Sequence, residues 1–498
     1  MTATELKAIA DKVARAMAAA GNDPWLVGYD ANGIQELIAA SGRPIAMRGA
    51  SEAILQFDKE ARGGELTIFA GGGRGVALAR SREAADQLGR ELVRRYRAIT
   101  HGGVMASAAV PFRRGGDAEA QSIRWLRDRL EIAKDEALPP GGKLPASRET
   151  ECTDCHSYHG TPRKRDEQIE LVCARCLAMQ DRGRHAISFG GGRREMSQSI
   201  AEIAEEGRIA VISADGNNLG ALFESLGTLV ELAVVSEVVA NSFRTAQKFA
   251  LSCVSENKRV PLLTGGDDVR AFIPPSAVLR YVRTLVDGVE SAVAEHAQAA
   301  RNLISRGTAD RLAKIGIGVG AVIADVYYPA WRLVEHAHKL EDSAKAACRK
   351  HAWRSGFDFV IVTAEDQMTD KPDRALHCTN LLPLAMCTKR WQAALEIAGA
   401  LAKLPPAQLA LVSTASVMDD EHEPDAATNE PDRSQGSQIS PEELGNLLCY
   451  QVARSREWQA WYAARGADWR DPKAVLEHRP KLDALQLARL IKVGGVSQ

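Results

Sequence analysis

The 498-residue chain contains neither an apolar run long enough to span a bilayer nor a targeting segment, so the expectation is a cytoplasmic protein with no membrane partner. Charge of one sign is lacking too. Its 63 Lys and Arg nearly balance 64 Asp and Glu, for a net charge of −1, which argues against broad, self-sufficient nucleic-acid binding. If RNA is a ligand, partner subunits must hold much of it. The local basic runs Arg163, Lys164, Arg165 and Arg193, Arg194 read as solvated loop charge, with phosphate contact as the other option. A disulfide framework is missing as well. Nine cysteines is an odd number, and Cys253, Cys348, Cys378, Cys387 and Cys449 stand singly in apolar or helical surroundings, as buried thiols do. Gly190-Gly191-Gly192-Arg193-Arg194 lacks the strand and the Lys-Ser/Thr of a phosphate loop, and reads as a hinge.

What is present begins at residues 261–272, Pro-Leu-Leu-Thr-Gly-Gly-Asp-Asp-Val-Arg-Ala-Phe. Two short β-rich runs with a diglycine between them predict a hairpin with Asp267 and Asp268 at its tip. Adjacent carboxylates repel one another, and a divalent cation is the usual compensation. Upstream, the apolar run from Arg208 ends in a third acid, Asp215, and breaks into a Gly216-Asn217-Asn218 turn, which predicts a strand beside the hairpin. Mg²⁺ takes oxygen ligands from one or two carboxylates plus substrate phosphates. Two such ions about 3.5 to 4 Å apart clamp the attacking and leaving oxygens of a phosphoryl transfer. Gly216 would let backbone approach a phosphate, and the turn ahead of the apolar stretch 219–230 would present helix N-terminal amides to a nucleotide. The plain alternative is a surface hairpin with solvated acids.

The chain then repeats itself. Residues 25–38 form a second apolar run ending in an acid, Asp30, followed by a turn and a helical start. Residues 65–79 form a second hairpin, in which Gly73 and Arg74 stand where Asp267 and Asp268 stand later. Helical stretches follow each hairpin (81–99 and 277–299), then a glycine-interrupted strand (101–111 and 315–324). The same order of parts occurring twice predicts two homologous domains of helices and strands, one catalytic and one degenerate, sharing a binding cleft.

Between the copies lie Cys152-Thr153-Asp154-Cys155 and, after 17 intervening residues, Cys173-Ala174-Arg175-Cys176. Two such knuckles predict a zinc ribbon with four thiolates and no open position, hence a structural ion. His156 and His159 are the substitute ligands. The turn-rich 139–145 leads into this module and 190–194 leads out of it. Beyond Thr363 the pattern turns helical. Residues 418–440, rich in Asp, Glu, Pro, Ser and Gln, predict a mobile acidic loop, and 444–464 and 474–491 predict amphipathic helices.

With these motifs the sequence resembles, over nearly its whole length, the large polymerase-like subunit of type III CRISPR effector complexes, the Cas-ten family. Gly33-Ile34-Gln35-Glu36 and Arg48-Gly49-Ala50-Ser51 resemble the opening of that family's first palm, and Gly265, Gly266, Asp267 and Asp268 match its signature hairpin, with Asp215 as the upstream acid. The resemblance implies an α+β fold: a degenerate palm of ferredoxin-like, cyclase/polymerase type at 1–138, a zinc module at 139–195, a catalytic palm at 196–365 and a helical domain at 366–498 that contacts neighbouring subunits. It implies synthesis of cyclic oligoadenylates from ATP, with two Mg²⁺ or Mn²⁺ ions on Asp215, Asp267 and Asp268, the backbone at Gly216 as a further ligand, and Asn217, Asn218, Gly265 and Gly266 around the nucleotide. Lys345, in the helical run 331–349, matches a lysine that such palms aim at phosphate, a solvated helix lysine being the other reading. Partners implied are other type III subunits with guide and target RNA.

The sequence departs from the family in two places. Many relatives carry a further acid where Asn217 stands, which bears on the metal geometry. Only one helical segment, 5–20, precedes the first palm-like strand, and it holds no His-Asp pair, so no HD nuclease and no cleavage of single-stranded DNA is expected. Other readings stay open: a free-standing nucleotide cyclase of another signalling or defence system, and a non-catalytic ATP-binding scaffold in an RNA-protein complex. Against a diguanylate-type cyclase, Val269 and Arg270 follow Asp268 where Glu-Phe is expected.

Overall fold

The structure, a computed structural model, describes residues 1–137, 150–165, 168–185 and 200–362, and in the C-terminal part 384–385, 398–399, 402–403, 449, 452–453, 456–464, 466–477, 488 and 491–492. The linker expected at 139–145, the glycine hinge with Arg193 and Arg194, Cys378, Cys387, the acidic loop 418–440 and most of the C-terminal helical expectation lie outside the described residues. The chain falls into two compact units, 1–357 and 358–498. In the second, helices at Arg456–Ala463 and Pro472–Glu477 are described, tied by a 3.3 Å hydrogen bond from the Tyr462 hydroxyl to the Val475 carbonyl.

The first unit is mixed α+β and contains one topology twice. Its first half runs α1 (Ala3–Ala19), β1 (Trp25–Asn32), α2 (Ile34–Ala39), α3 (Pro44–Arg62), β2 (Thr67–Gly71), β3 (Arg74–Ala79), α4 (Arg82–Ile99), β4 (Val104–Pro111) and α5 (Gly116–Glu136). Local signals set the boundaries. Thr2 and Glu5 cap α1 reciprocally, and the Ser81 hydroxyl accepts the Ala84 N–H at the start of α4. The strands pair in the order β2–β3–β1–β4, every neighbour antiparallel.

A small module follows, β5 (Thr161–Arg165), β6 (Gln168–Val172) and α6 (Ala174–Arg184), with β5 and β6 paired. Next come α7 (Ile200–Ile203), β7 (Arg208–Asn217), α8 (Leu219–Glu224), α9 (Leu229–Ser252), β8 (Val260–Gly265), β9 (Asp268–Ile273), α10 (Val278–Ala300), α11 (Arg306–Leu312), β10 (Gly316–Asp325) and α12 (Ala330–His351). Here the neighbouring order is β10–β7–β9–β8, again antiparallel, so β7 to β10 repeat the arrangement of β1 to β4. The repeat extends to detail. Each hairpin has a register shift two residues before its turn strand ends, between Thr67 and Phe69 in one and between Pro261 and Leu263 in the other.

The middle strand β7 is buried along its length: Ile209, Ala210, Val211 and Ile212 are fully inaccessible, as are Phe272, Leu285, Val319 and Leu333 around them. Each of the buried Ile, Val, Leu and Phe side chains contributes roughly 1.5–3 kcal/mol of transfer energy, which is why the strand sits between two neighbours rather than at an edge. Glycines decide how close the helices come. A Cβ at Gly320 would lie 2.1 Å from the Ala337 carbonyl oxygen, and one at Gly318 2.5 Å from Lys345 Cγ. Glycine on alternate positions of β10 therefore lets α12 lie directly on the strand.

Candidate active site and zinc module

The predicted hairpin forms, with one correction to its tip. Gly265 pairs with Asp268, so the two turn residues are Gly266 and Asp267, and only Gly266 needs the left-handed conformation, at φ +64°. In the first half the turn is Gly72-Gly73, with both residues left-handed at φ +65° and +75°, and Gly71 pairs with Arg74. Arg74 thus holds the hairpin position of Asp268, and Gly73 that of Asp267. Extending the β7–β9 pairing one step past Ala214↔Val269 sets Asp215 opposite Asp268, as Asp30 is opposite Arg74.

β7 continues two residues beyond Asp215, through Gly216 and Asn217, which pair with Ile317 and Gly316. The side of Gly216 where a side chain would point is filled by Leu219, 2.2 Å from an ideal Cβ, and its N–H donates to Asp215 Oδ1 at 2.7 Å. Asn217 is buried and its side-chain amide donates to the Arg354 carbonyl at 3.0 Å. Asn218, left-handed at φ +61°, turns the chain into α8. That helix has six residues, and a break separates it from α9, so the apolar stretch 219–230 is divided between two helices.

A cleft of about 630 Å³ opens between the halves. The first half contributes Asp30, Arg74 and Lys134, the second Asp215, Asp267 and Lys345, and Gly216, Asn217 and Asn218 line it as well. Gly265 and Gly266 do not. They border a separate notch of about 120 Å³ with Gly71 and Gly72, and the two turns nearly touch there, a Cβ on Gly266 falling 3.9 Å from Gly72 Cα.

Cations are woven between the acids. Lys345 is largely buried and pairs with Asp215 and, at 3.3 Å, with the fully buried Glu341, which is not the setting of a solvated helix lysine. Ser213 donates to Glu341 at 2.6 Å, and the buried Arg270 donates to Ser213 at 3.2 Å. Arg74 crosses from the first half to Asp267 at 3.1 Å, while Lys134 pairs with Asp30 at 2.6 Å. Burial raises Asp215 above the usual carboxylate range, helped by Asp268 and opposed by Lys345. Burial and Asp215 push Asp267 up to about 7 against the pull of Arg74, and burial and Asp267 push Asp268 up to about 6 against that of Arg270. Partly buried carboxylates that resist ionisation next to one another are a donor set for a hard divalent cation. They are not gathered into a tight cage: among the described residues, the groups with all ligand atoms within 4.8 Å of one another are the four cysteines and His338, Glu341 and Asp342.

Arg270, Glu341 and Arg74 were not legible as site residues. The signal available for Glu341 was the alternate-glycine strand that brings α12 down onto β10, for Arg270 its place two residues past Asp268 in the hairpin strand, opposite Ser213, and for Arg74 its place in the hairpin repeat.

The cysteine quartet does converge. Cys155 and Cys173 Sγ atoms are 3.8 Å apart, the edge expected of a tetrahedron with Zn–S near 2.3 Å. Backbone N–H groups of Cys173 and Cys176 point at Cys152 Sγ and Cys173 Sγ, at 3.3 and 3.4 Å, so the loops are shaped to support thiolates. His156 and His159 stand outside the quartet. The module is clamped to the first half by Arg43, which pairs with Asp154 at 2.5 Å and Glu170 at 2.7 Å, and by α3 against α6, where a Cβ on Gly49 would collide with the Met179 carbonyl oxygen at 1.8 Å. Arg163 and Lys164 of β5 are exposed.

Residues 208–353 match the family described as Cas10/Cmr2, second palm domain. Among solved structures, a Csm1–Csm4 cassette in complex with cA4 aligns with a TM-score of 0.51 at 14% identity, covering 97% of this chain and 72% of that one. Csm1 in T. onnurineus aligns with a TM-score of 0.49 at 14% identity, over 93% and 70%. No curated protein matches by sequence. No described helix is long and apolar enough to cross a membrane.

Proposed function

We propose that this chain, whose residues 208–353 match the Cas10/Cmr2 second palm domain, is a nucleotidyltransferase that joins ATP into cyclic oligoadenylates as a subunit of a type III CRISPR effector. The observation that carries the reading is the convergence of Asp215, from the middle strand, and Asp267, from the hairpin turn, on one cleft with Lys345 and cations of the degenerate palm. The solved neighbour binding cA4 supports a cyclic oligoadenylate as the product class.

In this reading a ribose hydroxyl of one ATP attacks the α-phosphorus of the next. A new O–P bond forms, the P–O bond to pyrophosphate breaks, and the hydroxyl proton passes to solvent. Two divalent ions held by Asp215, Asp267 and Asp268 would supply Lewis-acid stabilisation of the attacking and leaving oxygens. Lys345, freed from Asp215, would neutralise phosphate charge. Glu341 holds the lysine ammonium from below and is itself fixed by Ser213 and Arg270, so the lysine approaches from a preset direction. Csm4-type subunits, guide RNA and target RNA are the proposed partners, and the Cys152, Cys155, Cys173 and Cys176 set the proposed structural zinc site.

The test incubates purified protein with each nucleoside triphosphate and Mg²⁺ or Mn²⁺, with and without RNA, and identifies products by mass spectrometry. Oligoadenylates should form and fall at least about 100-fold in Asp267→Ala/Asp268→Ala. Absence of product from every nucleotide, together with absence of ATP binding, would overturn the reading. Dependence on RNA separates an effector subunit from a free-standing cyclase.

A further inference from the structure

The cleft holds a cation that the second palm does not supply. Arg74 stands at the hairpin position of an acid in the other palm. Its guanidinium reaches across to Asp267 at 3.1 Å and lies over the Phe223 ring, 5.4 Å from the centroid. It lines the same cleft as Asp30, Asp215 and Asp267. Among the described residues one ion pair uses its five N–H donors, and its side chain is 42% exposed. On the other side, Asp267 offers an oxygen to Arg74 that a metal ion would also need; Asp215 and Asp267 lie within hydrogen-bonding reach of each other, but with Asp268 they do not form a group whose ligand atoms all lie within 4.8 Å.

We propose that Arg74 is a displaceable counter-ion: it holds Asp267 in the metal-free cleft, competes with a divalent ion for that carboxylate, and on release clamps the phosphates of a nucleotide in the same cleft. A guanidinium is suited to both partners, since its planar fork matches carboxylate and phosphate alike. The degenerate palm then contributes a catalytic residue in place of the acids it lacks. This rests on the nucleotidyltransferase reading for its second half, while the competition for Asp267 stands without it.

The rival description is a fixed bridge stapling the two palms. The two differ in sign. Mn²⁺ binding to the nucleotide-free full chain is measured by electron paramagnetic resonance for wild type, Arg74→Ala and Arg74→Lys, and turnover of ATP to oligoadenylate is measured at saturating Mn²⁺. Removing a competitor of this exposure should tighten Mn²⁺ binding in Arg74→Ala by roughly 3- to 10-fold, with turnover at least about 10-fold slower, and Arg74→Lys should fall between wild type and Arg74→Ala in both. Unchanged or weaker Mn²⁺ binding in Arg74→Ala overturns the competition, and unchanged turnover overturns the clamp. If wild type makes no oligoadenylate, the functional reading and with it the clamp fail, and the Mn²⁺ series still decides the competition.

Discussion

The two palms share strand order, antiparallel pairing and the place of a register shift, yet their hairpin tips are chemically opposed. The second carries Asp267 and Asp268. The first carries Gly73 and Arg74, and a buried carboxylate, Asp58 of α3, accepts the Gly73 N–H from behind at 3.1 Å. The tips also differ in backbone, with two left-handed residues in the first and one in the second. The two halves share a pairing that many backbone hydrogen bonds fix together and differ at the tip, where a single residue decides the charge. The first palm reads as a partner that faces the acids with cations.

The largest expected effect sharpens the difference in what each palm leans on. The cysteine module docks on the first palm through Arg43 and the Gly49 contact. A structural zinc site is worth on the order of 10 kcal/mol to a small module. Chelating zinc, or Cys173→Ser, should therefore expose 150–185 to protease and speed amide exchange in α3, while β7 to β10 keep their protection. Equal loss in both palms would break the distinction.

Both hairpins, the cysteine knuckles and the internal repeat were legible because each is local: a glycine pair, a spacing of three, an apolar run ending in an acid. Helix 330–351 was legible as a helix, but the position of Lys345 over Asp215 was not, because it depends on Gly318 and Gly320 admitting that helix to a strand paired with β7. The extra two residues of β7 past Asp215 were also hidden. Gly216 and Asn217 look like turn formers, but Gly316 and Ile317 across the sheet continue the ladder and Arg354 takes the Asn217 amide. Tertiary pairing outweighed local preference there.

A middle-sized effect asks whether the first tip can be turned back into the second. At Gly73 a Cβ would meet Ile34 Cδ1 at 2.9 Å and the Ala31 Cβ at 3.0 Å, in a left-handed backbone, and a new carboxylate would face Asp58. Gly73→Asp should cost about 2–3 kcal/mol in chemical denaturation and create no additional Mn²⁺ site. A stable variant that gains a site would mean that the two tips are interchangeable after all, and that the difference between the palms is only one of side chains.

The smallest effect separates the palms by titration. Asp58, buried and opposed by the Gly73 N–H, is pushed up to about 7, as is Asp267. A carboxylate raised in the folded state binds its proton more tightly there than in the unfolded chain, so its stabilisation is complete below about pH 4 and is lost as pH rises through about 7. In EDTA the thermal midpoint should accordingly fall between pH 5 and pH 8, by an amount corresponding to on the order of 1–2 kcal/mol. A divalent cation replaces the proton only where it can bind. Mg²⁺ at pH 8 should restore the Asp267 share and leave the Asp58 share lost, so Asp267→Asn should abolish the metal-dependent part of the slope and Asp58→Asn the metal-independent part. If Asp58→Asn removed the metal-dependent part instead, the hairpins would be titrating as one system, and the first palm would belong to the metal site directly rather than through Arg74.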